Sequence, residues 1–109
     1  MDHATRWRKP TGSGGPTTLS LVLATFNGEQ FLPELLSSLA GQTRAPDELI
    51  IVDDGSSDDT LNLIDDFVSW APFEVRLLER RQHLGTWATF EDGLRAAKGD
   101  VIAICDQDD

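Results

Sequence analysis

The C-terminal run Val101-Ile102-Ala103-Ile104-Cys105 constrains the fold more than any other stretch, because it leads straight into Asp106-Gln107-Asp108-Asp109. Five apolar residues in succession predict a strand buried on both faces, as strands of a parallel sheet are. The strand then delivers three carboxylates within four residues at its C-terminal end. In open α/β sheets, ligands bind outside the carboxyl ends of the strands. Carboxylates gathered there repel one another unless a cation lies among them. A hard divalent ion such as Mg²⁺ takes a few carboxylate oxygens and keeps coordination positions for substrate phosphates. An Asp-x-Asp in this place points to a metal that presents a phosphorylated substrate. Taken alone, the tripeptide fits a solvated acidic turn equally well.

The rest of the chain supplies the sheet that such a strand needs. Residues 17–24 (TTLSLVLA) read as a first strand, followed by the turn Thr25-Phe26-Asn27-Gly28. A helix is expected within Glu29 to Gly41, where Phe31, Leu32, Leu35, Leu36 and Leu39 recur at helical spacing. Pro33 falls in its first turn and Gly41 is a stop. Residues 48–53 (ELIIVD) form a second strand, ending in Asp53-Asp54-Gly55-Ser56-Ser57-Asp58-Asp59. These serines and aspartates suit the N-terminus of a helix over Asp58 to Trp70, with Leu61, Ile64, Phe67 and Val68 inward. Pro72 precedes a third strand, Phe73 to Leu78. A charged loop leads to a helix over Thr86 to Lys98 carrying Trp87, Phe90, Leu94 and Ala97, which Gly99 closes. The order β-α-β-α-β-α-β predicts right-handed crossovers and a Rossmann-like parallel sheet with helices on both faces.

Charge narrows the partners. Residues 1–16 are polar, rich in Gly, Pro and Ser, and read as a disordered leader. Arg6, Arg8 and Lys9 against Asp2 make that leader net +2, and the remaining 6 basic and 18 acidic residues carry −12. Such a body does not suit nucleic acid, which needs clustered basic residues. Cys105 is the single cysteine, so no internal disulfide forms, and a buried thiol suits a reducing compartment. No stretch reaches the roughly 18 apolar residues of a membrane span, and no signal peptide is read, so a cytoplasmic protein is expected.

In a parallel sheet, the ends of three strands bring Thr25 to Glu29, Asp53 to Ser56, and Asp106 to Asp109 to one edge. There, Asp54 can accept from the imide N–H of a uracil or thymine ring, and Glu29 or Asp106 can meet ribose hydroxyls. Helix capping is the plain alternative for Asp53, Asp54 and the serines. Phe26 reads as core or a staple, and Arg81 and His83 as loop residues within reach of a pyrophosphate. The loops lack the lysine of a P-loop and any Gly-x-Gly-x-x-Gly turn, which disfavours nucleotide triphosphatases and dinucleotide binders. A haloacid-dehalogenase-like phosphatase carries its Asp-x-Asp on the first strand, not the fourth. A receiver-like module would need a Lys at the end of a later strand, whereas Lys98 ends a helix.

Three motifs together carry a family resemblance. They are Ser20-Leu-Val-Leu-Ala-Thr-Phe-Asn27, Leu49-Ile-Ile-Val-Asp-Asp-Gly-Ser-Ser-Asp58, and Ala97-Lys-Gly-Asp-Val-Ile-Ala-Ile-Cys-Asp-Gln-Asp-Asp109. In this order and spacing the chain resembles family 2 glycosyltransferases of the GT-A fold, from about Leu19 onward. The run from Gly85 to Phe90-Glu91, with Asp-Gln-Asp-Asp, is most similar to bacterial, rhamnosyltransferase-like members that build surface polysaccharide. Ala24 stands where the family often has Pro, and Thr89 where many members have Asn.

The resemblance implies a dTDP- or UDP-sugar donor held by Ala24, Thr25, Asn27, Glu29, Asp54, Asp106, Gln107 and Asp108. It further implies Mg²⁺ or Mn²⁺ on Asp106 and Asp108, and a saccharide or lipid-linked acceptor. The acceptor half and the catalytic base would follow the Asp-x-Asp, so no catalytic residue is expected within residues 1–109. The chain is then expected to be a donor-binding half of a longer enzyme, with any peripheral membrane association in the missing part. A truncated remnant that only binds nucleotide or metal is the alternative.

Overall fold

The computed structural model describes residues 18–106, with Asp106 described by its backbone alone. The leader (1–16), Thr17 and the residues 107–109 lie outside the described residues. Seven elements alternate in the expected order: β1 (Leu19–Thr25), α1 (Leu32–Ala40), β2 (Glu48–Asp53), α2 (Thr60–Val68), β3 (Glu74–Glu79), α3 (Thr86–Ala96) and β4 (Val101–Asp106). The four strands are all parallel, in the order β3-β2-β1-β4.

That order explains the burial of each strand. Every residue of β1 and β2, the two central strands, is buried. On one face Leu19, Leu21, Leu23, Leu49, Ile51, Val101, Ala103 and Cys105 meet α1 through Leu32, Leu35, Leu36 and Leu39, and α2 through Ile64 and Phe67. On the other, Val22, Ile50 and Val52 lie under α3, with Phe90, Ala96, Ala97, Leu78 and Ile102 packed around them. Each fully buried Leu or Ile contributes about 1.5–3 kcal/mol relative to exposure.

Expectation and structure part at the edges. β4 is an edge strand, and only Val101, Ala103 and Cys105 are buried, while Ile102 and Ile104 are half-covered. One helix serves the α3 face, and it rests on β1 and β2 rather than on β4. Phe31, Val68, Trp87 and Leu94 were expected inward and are exposed, Trp87 at 83%. Phe31 precedes the first turn of α1, and Val68 closes α2. α3 approaches the sheet through its small residues: Thr89 and Gly93 are its buried positions, which turns Trp87 and Leu94 outward.

Both ends of the β1–β2 pair are fastened by directly opposed polar residues. Ser20 faces Glu48 and Thr25 faces Asp53 in register. The Ser20 hydroxyl donates to Glu48 Oε2 at 2.5 Å, and the Thr25 hydroxyl to Asp53 Oδ1 at 2.7 Å. Glu48 also accepts from the Lys98 backbone N–H at 2.7 Å and pairs with Arg76 at 3.3 Å. Burial works to raise its carboxyl pKa, but these donors prevail and hold it below the ordinary value.

Candidate functional site

β2 and β3 lie to one side of β1 and β4 to the other, so the connections diverge at the C-terminal ends of β1 and β4. Such a switch point opens a crevice between the loops, which is where open α/β sheets bind ligands. Here Ala24 stands opposite Asp106 in register. The predicted site residues Ala24, Thr25, Asn27, Glu29, Asp54 and Asp106 all fall along this one edge. Gln107 and Asp108 lie outside the described residues.

The loops at this edge are braced mainly by carboxylates. Asp53 is fully buried and, besides Thr25, accepts the Ser56 backbone N–H at 2.9 Å and the Ser56 hydroxyl at 2.6 Å. The β1–α1 and β2–α2 loops are laced together. Asn27 donates its N–H to Ser56 Oγ and accepts the Ser57 N–H, both at 2.8 Å, and Asn27 takes a left-handed φ of 47°. Gly28 N–H donates to the Thr60 hydroxyl at 2.9 Å. Asp58 accepts from the Thr60 and Glu29 N–H groups at 3.0 and 3.2 Å. Its carboxyl is shifted down because these bonds outweigh the opposing effect of burial. The N-cap of α2 is Asp59, which makes no side-chain cap hydrogen bond, and Asp53 makes a tight turn with Ser56 before α2.

Asp54 has a different task. Its backbone N–H donates to Thr25 O at 2.9 Å. Its carboxylate, with a side chain 4% exposed, reaches across to the β3–α3 loop. Oδ1 accepts the Leu84 N–H at 2.9 Å and Oδ2 the Gly85 N–H at 2.8 Å. His83 Nδ1 lies 2.8 Å from Oδ2, and Arg80 Nε 3.9 Å from Oδ1. Burial alone would raise the Asp54 pKa, yet the two N–H donors and the His83 ring together pull it below the ordinary 3.8. The backbones of the two loops also touch: a Cβ on Gly55 (φ +90°) would lie 3.2 Å from His83 N.

The ring of His83 stacks on Phe26 with centroids 4.0 Å apart and planes at 29°. Phe26 is thus half-buried under a loop residue rather than inside the core. Arg80 is tied down through Ala88 O at 2.7 Å and through Asp92. Sequence reasoning did not find the Asp54–His83–Phe26 grouping, nor the bracing of the β1–α1 loop by Ser56 and Thr60, because these partners lie 29 or more residues apart with no periodic signal linking them.

Among the described residues no group of three or more His, Cys, Asp or Glu side chains is gathered as metal ligands would be. Asp106 and Asp108 fit a divalent ion by the chemistry of their donors: carboxylate oxygens suit Mg²⁺ and Mn²⁺.

A doubly wound, parallel α/β sheet with a polar, carboxylate-braced edge at its switch point is the class defined by this fold and site. Residues 20–109 match the family model described as glycosyl transferase family 2, and the chain belongs to that family. An uncharacterized protein of Mycobacterium tuberculosis (strain ATCC 25618 / H37Rv) is 37% identical over 92 residues, which cover 84% of this chain and 27% of the relative. The dodecaprenyl-phosphate galacturonate synthase of Rhizobium johnstonii is 37% identical over 93 residues, covering 83% and 28%. Among solved structures, Staphylococcus aureus TarS 1–349 in complex with UDP-GlcNAc superposes with a TM-score of 0.75 at 27% identity, covering 84% of this chain and 26% of that one. A mannosyltransferase from Pyrobaculum calidifontis, in complex with GDP-Man and Mn²⁺, shares the fold with a TM-score of 0.77 at 24% identity, covering 84% and 28%. The chain spans little more than a quarter of the length of these proteins.

Proposed function

We propose that this chain is the donor- and metal-binding part of a glycosyltransferase that moves a sugar from a nucleoside-diphosphate donor to a saccharide or lipid-linked acceptor. The observation that carries the reading is the register of Ala24 against Asp106 at the switch point, beside the loops after β1 and β2. Neighbours of the same fold that hold UDP-GlcNAc, or GDP-Man with Mn²⁺, support a nucleotide-sugar ligand and a divalent ion.

In this proposal the nucleoside lies along Ala24, Thr25, Asn27, Glu29 and Asp54. The diphosphate lies toward Asp106, Gln107 and Asp108. Asp106 and Asp108 would hold Mg²⁺ or Mn²⁺, whose charge would offset that of the leaving diphosphate. The side chains of Thr25, Asn27 and Asp54 already brace the loops. At Ala24 and Thr25 the backbone is therefore the part offered to the nucleoside. The acceptor hydroxyl needs a base, and the family resemblance assigns it to the part of the longer relatives that this chain does not match.

Calorimetric titration of the folded chain with UDP and dTDP, with and without Mn²⁺, tests the reading. Metal-dependent binding that Asp108→Ala abolishes is the expected result. Absence of binding, or binding indifferent to both metal and variant, contradicts it.

A further inference from the structure

We infer that the basic leader of this chain docks its segment Arg6-Trp7-Arg8-Lys9 into the groove between α1 and α2. The groove lies in the helix layer rather than among the strand-end loops, so it is independent of the donor-site reading. Pro33, Leu36 and Ser37 of α1, Leu63 and Phe67 of α2, and Trp70 just beyond α2 enclose about 150 Å³. An apolar cavity of about 150 Å³ admits a benzene ring, so an aromatic side chain is of the right size. Leu36 and Phe67 are buried and make the floor apolar. Trp70 stands edge-on to Phe67, with centroids 4.8 Å apart, and is still 50% exposed.

The surroundings of the groove are acidic. α1 and α2 carry Glu34, Asp65 and Asp66 and no basic residue, and Asp66 lines the groove itself. None of these three carboxylates pairs with a basic side chain among the described residues. An occupant with an aromatic ring between cations suits such a place. Residues 1–16 supply that combination: Trp7 is flanked by Arg6, Arg8 and Lys9, and the leader is net +2 against −12 for the rest of the chain. A segment of this composition buries too little apolar surface to order by itself, so its order comes from a surface that it meets. With Trp7 in the groove, Arg6 and Arg8 can reach Asp66 and the open face of Trp70, as an ion pair and a cation–π contact.

The leader also reaches. Trp70 lies shortly before β3, whose first residue, Glu74, pairs with Glu48, and Glu48 pairs with Ser20. Trp70 is therefore at the sheet edge where Thr18 leads into β1. Two strand spacings separate β3 from β1, about 10 Å, and the helix layer adds a helix diameter of about 10–12 Å. Ten residues lie between Trp7 and Thr18, and ten residues span up to about 33 Å. Trp87, 83% exposed, is the other open tryptophan, but α3 carries Arg95 and leads to Lys98, which suits a basic segment less well.

A nitroxide on Ala4→Cys in the full chain tests the docking through the backbone amide intensity that it removes. Cys105 is 2% exposed and resists labelling, and the unaltered chain treated alike gives the background. The expected loss is concentrated at Ser37, Leu63, Asp66 and Trp70 at about 0.1 M salt, and shrinks at about 1 M, where the Debye length falls from about 10 Å to about 3 Å. It should disappear when Trp7→Ala is added and weaken with Asp66→Lys, a change at an exposed position that leaves the core intact. Loss that is absent, spread evenly over the acidic surface, centred on Trp87, or retained in Trp7→Ala overturns the docking. Loss at the groove of an isotope-enriched chain without nitroxide, mixed with a nitroxide-bearing chain of natural abundance, gives the groove to a second copy and overturns docking within one chain.

Discussion

Gly93 of α3 lies directly against Val22 of β1. A Cβ at this position would overlap Val22 Cγ1 and meet Val52 Cγ2 at 3.2 Å. The missing side chain is what lets the helix approach the two central strands, neither of which can yield. Gly93→Ala should therefore destabilise the fold by about 1–3 kcal/mol, although alanine is the better helix former by roughly 1 kcal/mol. A lower urea midpoint with an unchanged slope is the expected reading. A midpoint equal to or above that of the unaltered chain contradicts the close approach.

Asp54 secures the β3–α3 loop through Leu84, Gly85 and His83. Asp54→Ala strips acceptors from two backbone N–H groups at once and should cost about 2–4 kcal/mol. Asp54→Asn keeps one oxygen and should lose less. Trypsin gives a local readout, since Arg80 and Arg81 open this loop: cleavage there should quicken in Asp54→Ala. Cleavage no faster than in the unaltered chain would show that the loop is held by other means.

Acid should unfold the protein through Asp54 and Glu48. Both carboxyls are held below their ordinary values of 3.8 and 4.5 by the donors around them, despite burial. As pH falls past those values, the unfolded chain takes up protons that the folded one refuses. Their stabilisation is thus complete above about pH 4.5 and is lost as pH falls through the lower native values. Urea midpoints measured from pH 7 down to pH 3 should drop in that window and drop less steeply in Glu48→Gln. A midpoint that stays level contradicts the assignment.

Strand and helix order was legible because apolar runs and helical spacing alternate along the chain, and parallel pairing follows from that alternation. Which strands lie at the edges was not legible. Residues 101–105 are as apolar to the eye as β1, and 73–78 carry Phe73, Val75, Leu77 and Leu78, yet β3 and β4 are only partly covered, since burial there depends on which neighbours a strand has in space. The face of α3 was misread for a related reason: Trp87 and Leu94 carry the apolar signal, while Thr89 and Gly93 make the close contact. At the candidate site, the strand-end position of Asp54 and Asp106 could be read from the chain. The engagement of Asp54 by a loop some thirty residues later could not, because a carboxylate's partner leaves no trace in local sequence.

The most direct measurement is Mn²⁺-induced broadening of backbone amide resonances in the presence of UDP. The two ends of the strands lie about 17–20 Å apart, enough to tell one sheet edge from the other. The account predicts broadening at Thr25, Asn27, Asp54 and Asp106, with Ser20, Glu48 and Lys98 at the opposite edge remaining sharp. Broadening centred on Asp47, Glu48 and Glu74, or spread evenly over the acidic surface, would contradict a metal and donor site at the β1–β4 switch point.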